Sequence, residues 1–364
     1  MTATVPRPGT TNGSLRRRLW RLAETVTTPV LPGDYLDLVA PLRAGADLRG
    51  RIVAVRPETR DAATLVIQPG RSWRGHVPGQ YIRLGVDVDG VRQWRAYSVT
   101  SVAGRRTDPI SVTVKAIPDG VVSNHLVRRV RPGTIVQLDQ ARGDFVLPQP
   151  APSRVLFLTA GSGITPVAGM LRSGALAGSD VVLVHSAPTA ADVVFGAELR
   201  GLAERGGIRL VERHTSVEGL LEVAELDTLV PDHLDRRTWA CGPLGLLDAV
   251  EAHWSARGRA ERLHTERFRP TVITAGDGGT VTFTRSSVTV EAAGATPLLD
   301  AGENAGVLMP SGCRMGICFG CVLPLREGAV RDLRNGQLTT ALPGDGVRVQ
   351  TCVSAAAGPC ELEI

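Results

Sequence analysis

Four cysteines constrain this chain more tightly than any other feature of its sequence. Cys313, Cys318 and Cys321 stand in CRMGICFGC with four and two residues between them, and Cys352 follows after thirty more. Three thiolates so close in sequence converge on one point only if their loop wraps around it, and a fourth must then arrive from a distant segment. Two irons bridged by two sulfides make that demand, and Cys-x4-Cys-x2-Cys with a remote fourth cysteine is the spacing that holds a 2Fe-2S cluster. Gly312, Gly316 and Gly320 interleave with the thiols. Without Cβ the backbone can approach the cluster, turn at positive φ and aim N–H groups at sulfur. Zinc usually takes two close cysteine couples; the second couple is missing, because seven residues separate Cys352 from Cys360. Cys360 is left over, a small buried hydrophobe near the C-terminus.

A length of 364 residues suggests two or three domains of roughly 100 to 200 residues each. No apolar run approaches the roughly 18 residues that cross a bilayer. The opening MTATVPRPGTTNGSLRRRLW lacks the apolar stretch of a secretory signal, so a cytoplasmic location with reduced thiols is expected. Six cysteines there point to metal or redox chemistry. The net charge of +5 is modest and no basic block is interleaved with aromatics, which argues against nucleic acid as a partner. Lys115 is the only lysine among 41 basic residues and reads as compositional bias.

Residues 1–47 form an extension with a basic amphipathic helix expected from Ser14, where Leu15, Leu19, Leu22 and Val26 fall at helical spacing. Packing on the next domain is the simpler use of such a helix; peripheral membrane contact through residues 14–26 is the other. From 48 to 150, short alternating segments broken by Gly/Pro turns (RIVAV, ATLVIQP, GQYIRLGV, QWRAYSV, ISVTVKAI, TIVQLD) predict an antiparallel β-barrel. From 151 to 272, apolar runs (RVLFLTA, DVVLVHS, IRLVERH, TWACG) alternate with helix-like stretches, which predicts an α/β domain around a parallel sheet. GDGGT at 276–280 reads as a linker. Residues 279–364 hold two strands, the helix-like PLLDAGENAG and the cysteine loop, and form a further domain.

Two segments have cofactor chemistry. On the predicted strand RAYS, alternation puts Arg95 and Tyr97 on one face. A flavin phosphate needs a cation, the ring welcomes an aromatic, and the Ser98 hydroxyl can bond its edge. VKAIPDGVVSNHL adds a glycine turn and Ser123 where a helix can start and its N–H groups meet a pyrophosphate. RVLFLTAGSGITP runs an apolar strand into a Gly-rich turn and a helix whose first turn accepts Pro166. Thr159, Gly161, Ser162, Gly163 and Thr165 would line a dinucleotide pyrophosphate there. TWACGP ends in Cys241, Gly242 and Pro243, where an α/β sheet places its ligand crevice. Each string alone is equally ordinary strand and turn chemistry.

In order, RAYS, GVVS, TAGSGITP, ACGP and CRMGICFGC resemble the ferredoxin-NADP reductase superfamily with a C-terminal plant-type ferredoxin domain, over about residues 48–364, which implies a β-grasp ferredoxin fold for residues 279–364. The chain is similar to the NAD(P)H reductase components that feed oxygenases, hydroxylases and desaturases. LRRRLWRLAETVTTPVLPGDYL is especially similar to actinobacterial oxidoreductases serving membrane-bound stearoyl-CoA desaturases. The resemblance implies that Arg95 binds flavin phosphate, Tyr97 stacks on the ring and Ser98 sits near N5, with Gly120, Val122 and Ser123 completing the phosphate site. It implies that Gly161 to Pro166 hold the nicotinamide dinucleotide and Cys241 to Pro243 frame the transferring carbon. Glu266 and Phe268 would close the nicotinamide domain beside the flavin. FAD is implied over FMN. HSAPTAADVVF lacks the arginine with which NADPH-preferring relatives hold the 2′-phosphate, so NADH stays open beside NADPH, with Arg213 as a substitute.

Hydride carries two electrons and a 2Fe-2S cluster takes one at a time, so a flavin between them is the natural transformer. The expected activity is an NAD(P)H-dependent reductase passing electrons through FAD and the cluster to an oxygenase or a membrane acyl-CoA desaturase. An electron-carrier or redox-sensing flavoprotein, and an NAD(P)H oxidase, are the competing expectations.

Overall fold

From Arg49 onward short apolar segments are separated by turns, and in the computed structural model those segments close into an antiparallel barrel. The structure describes residues 40–43, 47–88, 90–118, 120–268, 274–311, 314, 316 and 319–364. The expected helix at 14–26 lies outside them, as do Cys313 and Cys318. The barrel contains β1 (Arg49–Thr59), β2 (Ala62–Pro69), β3 (Tyr81–Val88), β4 (Val91–Ser98), β5 (Ile110–Lys115), helix α1 (Val121–Arg128) and β6 (Ile135–Leu138). The strand order is β4-β3-β6-β1-β2-β5, and a Val99–Val112 bridge joins its two edges. Ile52, Leu65, Ile67, Ile82, Leu84, Val112 and Leu138 fill the interior, each worth about 1.5–3 kcal/mol when fully buried. Pro57 falls at a register shift of β1, where a missing ladder donor does least harm.

The next strands alternate with helices, and the inner ones are apolar almost throughout because both faces are covered. The strands are β7 (Arg154–Ala160), β8 (Asp180–Ala187), β9 (Arg209–His214), β10 (Arg237–Cys241) and β11 (Leu263–Glu266), parallel in the order β11-β10-β7-β8-β9. The helices are α2 (Ile164–Arg172), α3 (Gly196–Glu204), α4 (Thr215–Glu218), α5 (Leu226–Leu229) and α6 (Leu244–Ala256). Phe157 and Leu183 pack toward Val167 and Leu199 on one face. Leu156 and Val184 pack toward Leu226, Val250 and Trp254 on the other. Strand order reverses at β7, which has β8 on one side and β10 on the other. The carboxyl ends of β7 and β10 therefore flank the crevice where such sheets bind ligands.

The last sheet is mixed. It contains β12 (Gly279–Phe283), β13 (Val288–Ala292), β14 (Val322–Asp332), β15 (Leu338–Ala341), β16 (Arg348–Gln350) and β17 (Ser354–Leu362). The order is β13-β12-β17-β14-β15, with β16 on β14 and β12 parallel to β17. Helix α7 (Leu298–Asn304) buries Leu298, Leu299, Ala301 and Gly302 on this sheet. Glycine is needed there, since a Cβ at 302 would come within 2.6 Å of Met309 Sδ and 2.9 Å of Phe283 Cζ. Cys360 is buried in the same core, and burial pushes its thiol up to about 11.

GDGGT is not the linker its composition suggests. Gly276 N–H donates to Gly294 O (2.7 Å), Gly278 N–H to Ala356 O (3.1 Å), and Gly358 N–H to Gly278 O (2.9 Å). A Cβ on Gly276 would overlap the Ala356 carbonyl. Glycine serves here for close backbone approach, so the segment straps the third domain. Among the described residues no helix is long and apolar enough to cross a membrane.

Candidate active site

A cavity of about 600 Å³ opens where the three domains meet, a size suited to a cofactor. The β4 segment Arg95–Ser98 and the Gly120–Ser123 turn form one wall, Glu266 and Phe268 come from the end of β11, and Asp300, Glu303, Arg314 and Cys352 close the far side. Strand pairing fixes the first wall, with Arg95 opposite Leu84 and Tyr97 opposite Ile82. Ser123 Oγ holds the turn by donating to Gly120 O (3.2 Å) and accepting from Ile117 N–H (3.3 Å).

The polar groups of this cavity suit a large anionic, ring-bearing ligand. Ser98 Oγ and Glu266 Oε2 are buried without a hydrogen-bond partner, which is costly unless a ligand completes them. Arg95 donates to Trp94 O (2.8 Å), and no carboxylate among the described residues pairs with it. Burial, and then the nearby Arg314, lower its proton affinity, so a phosphate is favoured beside it. Burial raises the Tyr97 phenol above its usual range. These features fit FAD.

Lys115, which composition alone made uninformative, also lines the cavity and donates to Asp61 Oδ1 at 2.9 Å. Burial works to raise the Asp61 carboxyl, but hydrogen bonds from Thr59 and Lys115 outweigh it and lower the group.

Desolvation pushes the Glu266 carboxyl up from 4.5 to about 8. The folded protein thus keeps this proton at pH values where the unfolded chain releases it. The resulting stability is fully present below about 4.5 and is lost as pH rises toward 8. Relative to Glu266→Gln, wild type is expected to lose on the order of 3–5 kcal/mol between about pH 5 and pH 8. Thermal melts of both proteins across that range would show the gap widening, whereas parallel curves would place an ionised carboxylate there at neutral pH.

Thr159, Gly161, Ser162, Gly163, Thr165, Pro166 and Cys241 to Pro243 do not line this cavity. They gather beside it at the sheet's reversal point, on the carboxyl ends of β7 and β10. Gly161 adopts φ +54°. A Cβ on Gly163 would overlap the Cys241 carbonyl and lie 2.9 Å from Gly242 N, so the two glycine turns form one ledge whose closeness excludes side chains. This ledge fits a nicotinamide dinucleotide approaching backbone N–H groups. Thr165 Oγ1 donates to Ser162 O (2.9 Å). Thr159 is buried, with Oγ1 2.8 Å from His185 Nδ1. Cys241, fully buried and paired in register with Glu266, has its thiol raised well above the ordinary value, first by burial and then by Glu266. Arg213 is already committed: it binds Glu225 (2.9 Å) and the carbonyls of Glu218 and Gly219, so it offers no spare fork to a 2′-phosphate.

Cys321 and Cys352 are both buried. Thr351 Oγ1 donates to Cys321 O (2.9 Å), which ties the loop's end to the residue preceding Cys352. Gly316 O accepts from Arg334 Nη1 (3.0 Å) and Gln350 Nε2 (3.1 Å). Gly316 has φ +73°, a conformation that favours glycine, and the Arg334 guanidinium packs against the face where a Cβ would stand. Arg314, at φ +60°, donates to Asp300 Oδ1 (3.0 Å) and to Glu303, fastening the loop to α7. A four-thiolate cluster suits a loop so held. None of Arg314, Arg334, Gln350 or Thr351 was identifiable beforehand, because each acts across a gap in sequence that no spacing rule spans.

Comparison with known proteins agrees with this architecture. Residues 54–147 match the oxidoreductase FAD-binding domain and residues 281–357 match the 2Fe-2S iron-sulfur cluster binding domain. The chain is 54% identical to an NADPH oxidoreductase of Mycobacterium tuberculosis H37Rv, covering 95% of this chain and 92% of that one. It is 31% identical to the ferredoxin reductase component of 3-ketosteroid-9-alpha-monooxygenase from the same organism, over 77% and 85%. Among solved structures it resembles phthalate dioxygenase reductase with a TM-score of 0.59 at 21% identity, covering 87% of this chain and 97% of that one, a likeness of fold.

Proposed function

We infer, from the premise that the chain belongs to the ferredoxin-NADP reductase superfamily as an NAD(P)H-dependent reductase with FAD and a C-terminal 2Fe-2S domain, that it feeds electrons to an oxygen-activating enzyme. A membrane-bound acyl-CoA desaturase is the proposed acceptor. The observation that carries this reading is the single cavity whose lining runs from Arg95–Ser98 to Cys352: the flavin-type wall and a cluster thiol share one space, so electrons have a short way out. FAD, when bound, turns a two-electron donor into a source of single electrons.

Each residue then has a proposed task. Arg95 offsets a phosphate, with Gly120, Val122 and Ser123 beside it, and Tyr97 presents its ring. Ser98 and Glu266 offer a buried hydroxyl and a protonated carboxyl in the wall of the cavity. Gly161, Ser162, Gly163, Thr165 and Pro166, with Thr159 behind them, seat the dinucleotide. Cys241, Gly242 and Pro243 hold the nicotinamide end, Phe268 covers it, and orientation does most of the chemical work. Cys313, Cys318, Cys321 and Cys352 hold the cluster.

NADPH is the proposed donor, by analogy with the relative of that name. The desaturase assignment rests on the resemblance of residues 15–36, and a soluble oxygenase is the second reading, favoured by the monooxygenase component among the relatives. On anaerobic mixing, NADPH is expected to bleach the flavin faster than NADH, followed by the electron paramagnetic signal of a reduced cluster. Failure of both nucleotides to bleach the flavin would reject the donor site, and a faster reaction with NADH would reject NADPH as the donor. Reconstitution in vesicles with an acyl-CoA desaturase separates the acceptors: desaturation absent there but hydroxylation present with a soluble oxygenase would reject the first.

A further inference from the structure

Far along the nucleotide domain, on the sheet face opposite α2 and α3, three side chains converge that the electron path does not use. Asp227 sits on α5, His233 opens a short 3-10 turn, and His253 lies in the last turns of α6. One carboxylate oxygen and two imidazole nitrogens of these residues all lie within 4.8 Å of one another. His233 Nε2 is 3.0 Å from His253 Nε2 and 3.7 Å from Asp227 Oδ1. None of the three lines the cofactor cavity.

Their hydrogen bonds fix the tautomers. His233 Nδ1 lies 3.0 Å from Val230 O, and since a carbonyl can only accept, Nδ1 holds the proton and Nε2 keeps its lone pair. That ring is 2% exposed and wedged edge-on against Trp254 at 5.4 Å, so the lone pair has a set direction. A backbone carbonyl on the second ring nitrogen is the usual way a metal-binding histidine is oriented. Across from it, His253 Nδ1 accepts from Arg257 Nη1 (2.9 Å), so the neutral ring carries its proton on Nε2. One proton therefore occupies the gap between the two Nε2 atoms.

We propose that this gap is a binding site for a divalent first-row transition metal, Zn²⁺ by preference, with His233, His253 and Asp227 as ligands and water in the fourth position. Metal bonds of about 2.0–2.1 Å in a tetrahedron set neighbouring donors about 3.3 Å apart; the separations of 3.0 and 3.7 Å from His233 are within a few tenths of an ångström of that, and the His253–Asp227 pair, within 4.8 Å, closes as the half-exposed Asp227 side chain moves in. Two imidazoles and a carboxylate match zinc, copper or nickel better than calcium or magnesium. Binding moves the His253 proton from Nε2 to Nδ1, with none released overall. Arg257, which now donates to that Nδ1 and lies 3.6 Å from Asp227 Oδ2, must then withdraw. Arg257 is thus a competing cation, and the metal would staple α5, the turn and α6 together.

Calorimetric titration of the holoprotein, flavin and cluster loaded, with Zn²⁺ tests this. One saturable site is expected, with a Tm that rises with Zn²⁺ concentration. His253→Ala should weaken binding by at least about 100-fold while retaining flavin bleaching by nicotinamide, which shows that it folds. Arg257→Ala should bind more tightly. With the cluster oxidised and silent, one equivalent of Cu²⁺ should show coupling to two nitrogens. Absence of a saturable site, equal binding by His253→Ala, weaker binding by Arg257→Ala, or a copper spectrum without nitrogen coupling would each overturn the proposal.

Discussion

Cys352→Ser is expected to reduce one-electron export by at least ~100-fold while leaving nicotinamide-driven flavin bleaching within about twofold of wild type. Serine preserves the shape of the side chain but offers a poor ligand to iron, and Cys352 is both buried and part of the cavity lining. The loss should therefore fall on the step after flavin reduction. Two measurements on the same sample separate the steps: stopped-flow bleaching with NADPH, and steady-state reduction of cytochrome c. If cytochrome reduction survived at the wild-type rate, the cluster could not be the exit of the electron path. The reverse pattern, slow bleaching with an intact cluster spectrum, would mean that Cys352 matters to the flavin wall itself.

Gly163→Ala should strike the opposite end of the path. The new Cβ would overlap the Cys241 carbonyl and press on Gly242, and neither is the tip of a flexible side chain that can swing aside. Relief requires the turn or the end of β10 to move by about 1 Å, and a displacement of that size in a positioning element costs on the order of 100-fold in rate. Overpacking also destabilises by roughly 1–3 kcal/mol. Bleaching of the flavin by NADPH is thus expected to fall by about two orders of magnitude, while chemical reduction by dithionite proceeds normally. An alanine variant with wild-type bleaching would show that the two glycine turns do not work as one ledge.

The sequence made these elements legible to different depths, for physical reasons. Alternation marked the barrel strands because one face of each is buried. The unbroken apolar runs of β7 and β8 marked a parallel sheet because both faces are. Cysteine spacing announced a cluster because metal geometry leaves little latitude. Contacts between residues distant in sequence stayed hidden. Nothing in CRMG shows that Arg314 will fasten to Asp300 and Glu303, and Lys115 looked incidental until the fold put it in the cavity wall. Composition misled at GDGGT, where glycines that allow freedom in one setting allow close packing in another. Arg213, a candidate for the 2′-phosphate by residue type alone, is held by Glu225 and two carbonyls.

The strap at Gly276–Gly278 closes the first segment of the third domain against its last strand. Gly278 N–H donates to Ala356 O and Gly278 O accepts from Gly358 N–H, and both partners belong to β17. Truncation of β17 would therefore undo the point where the domain begins as well as its core.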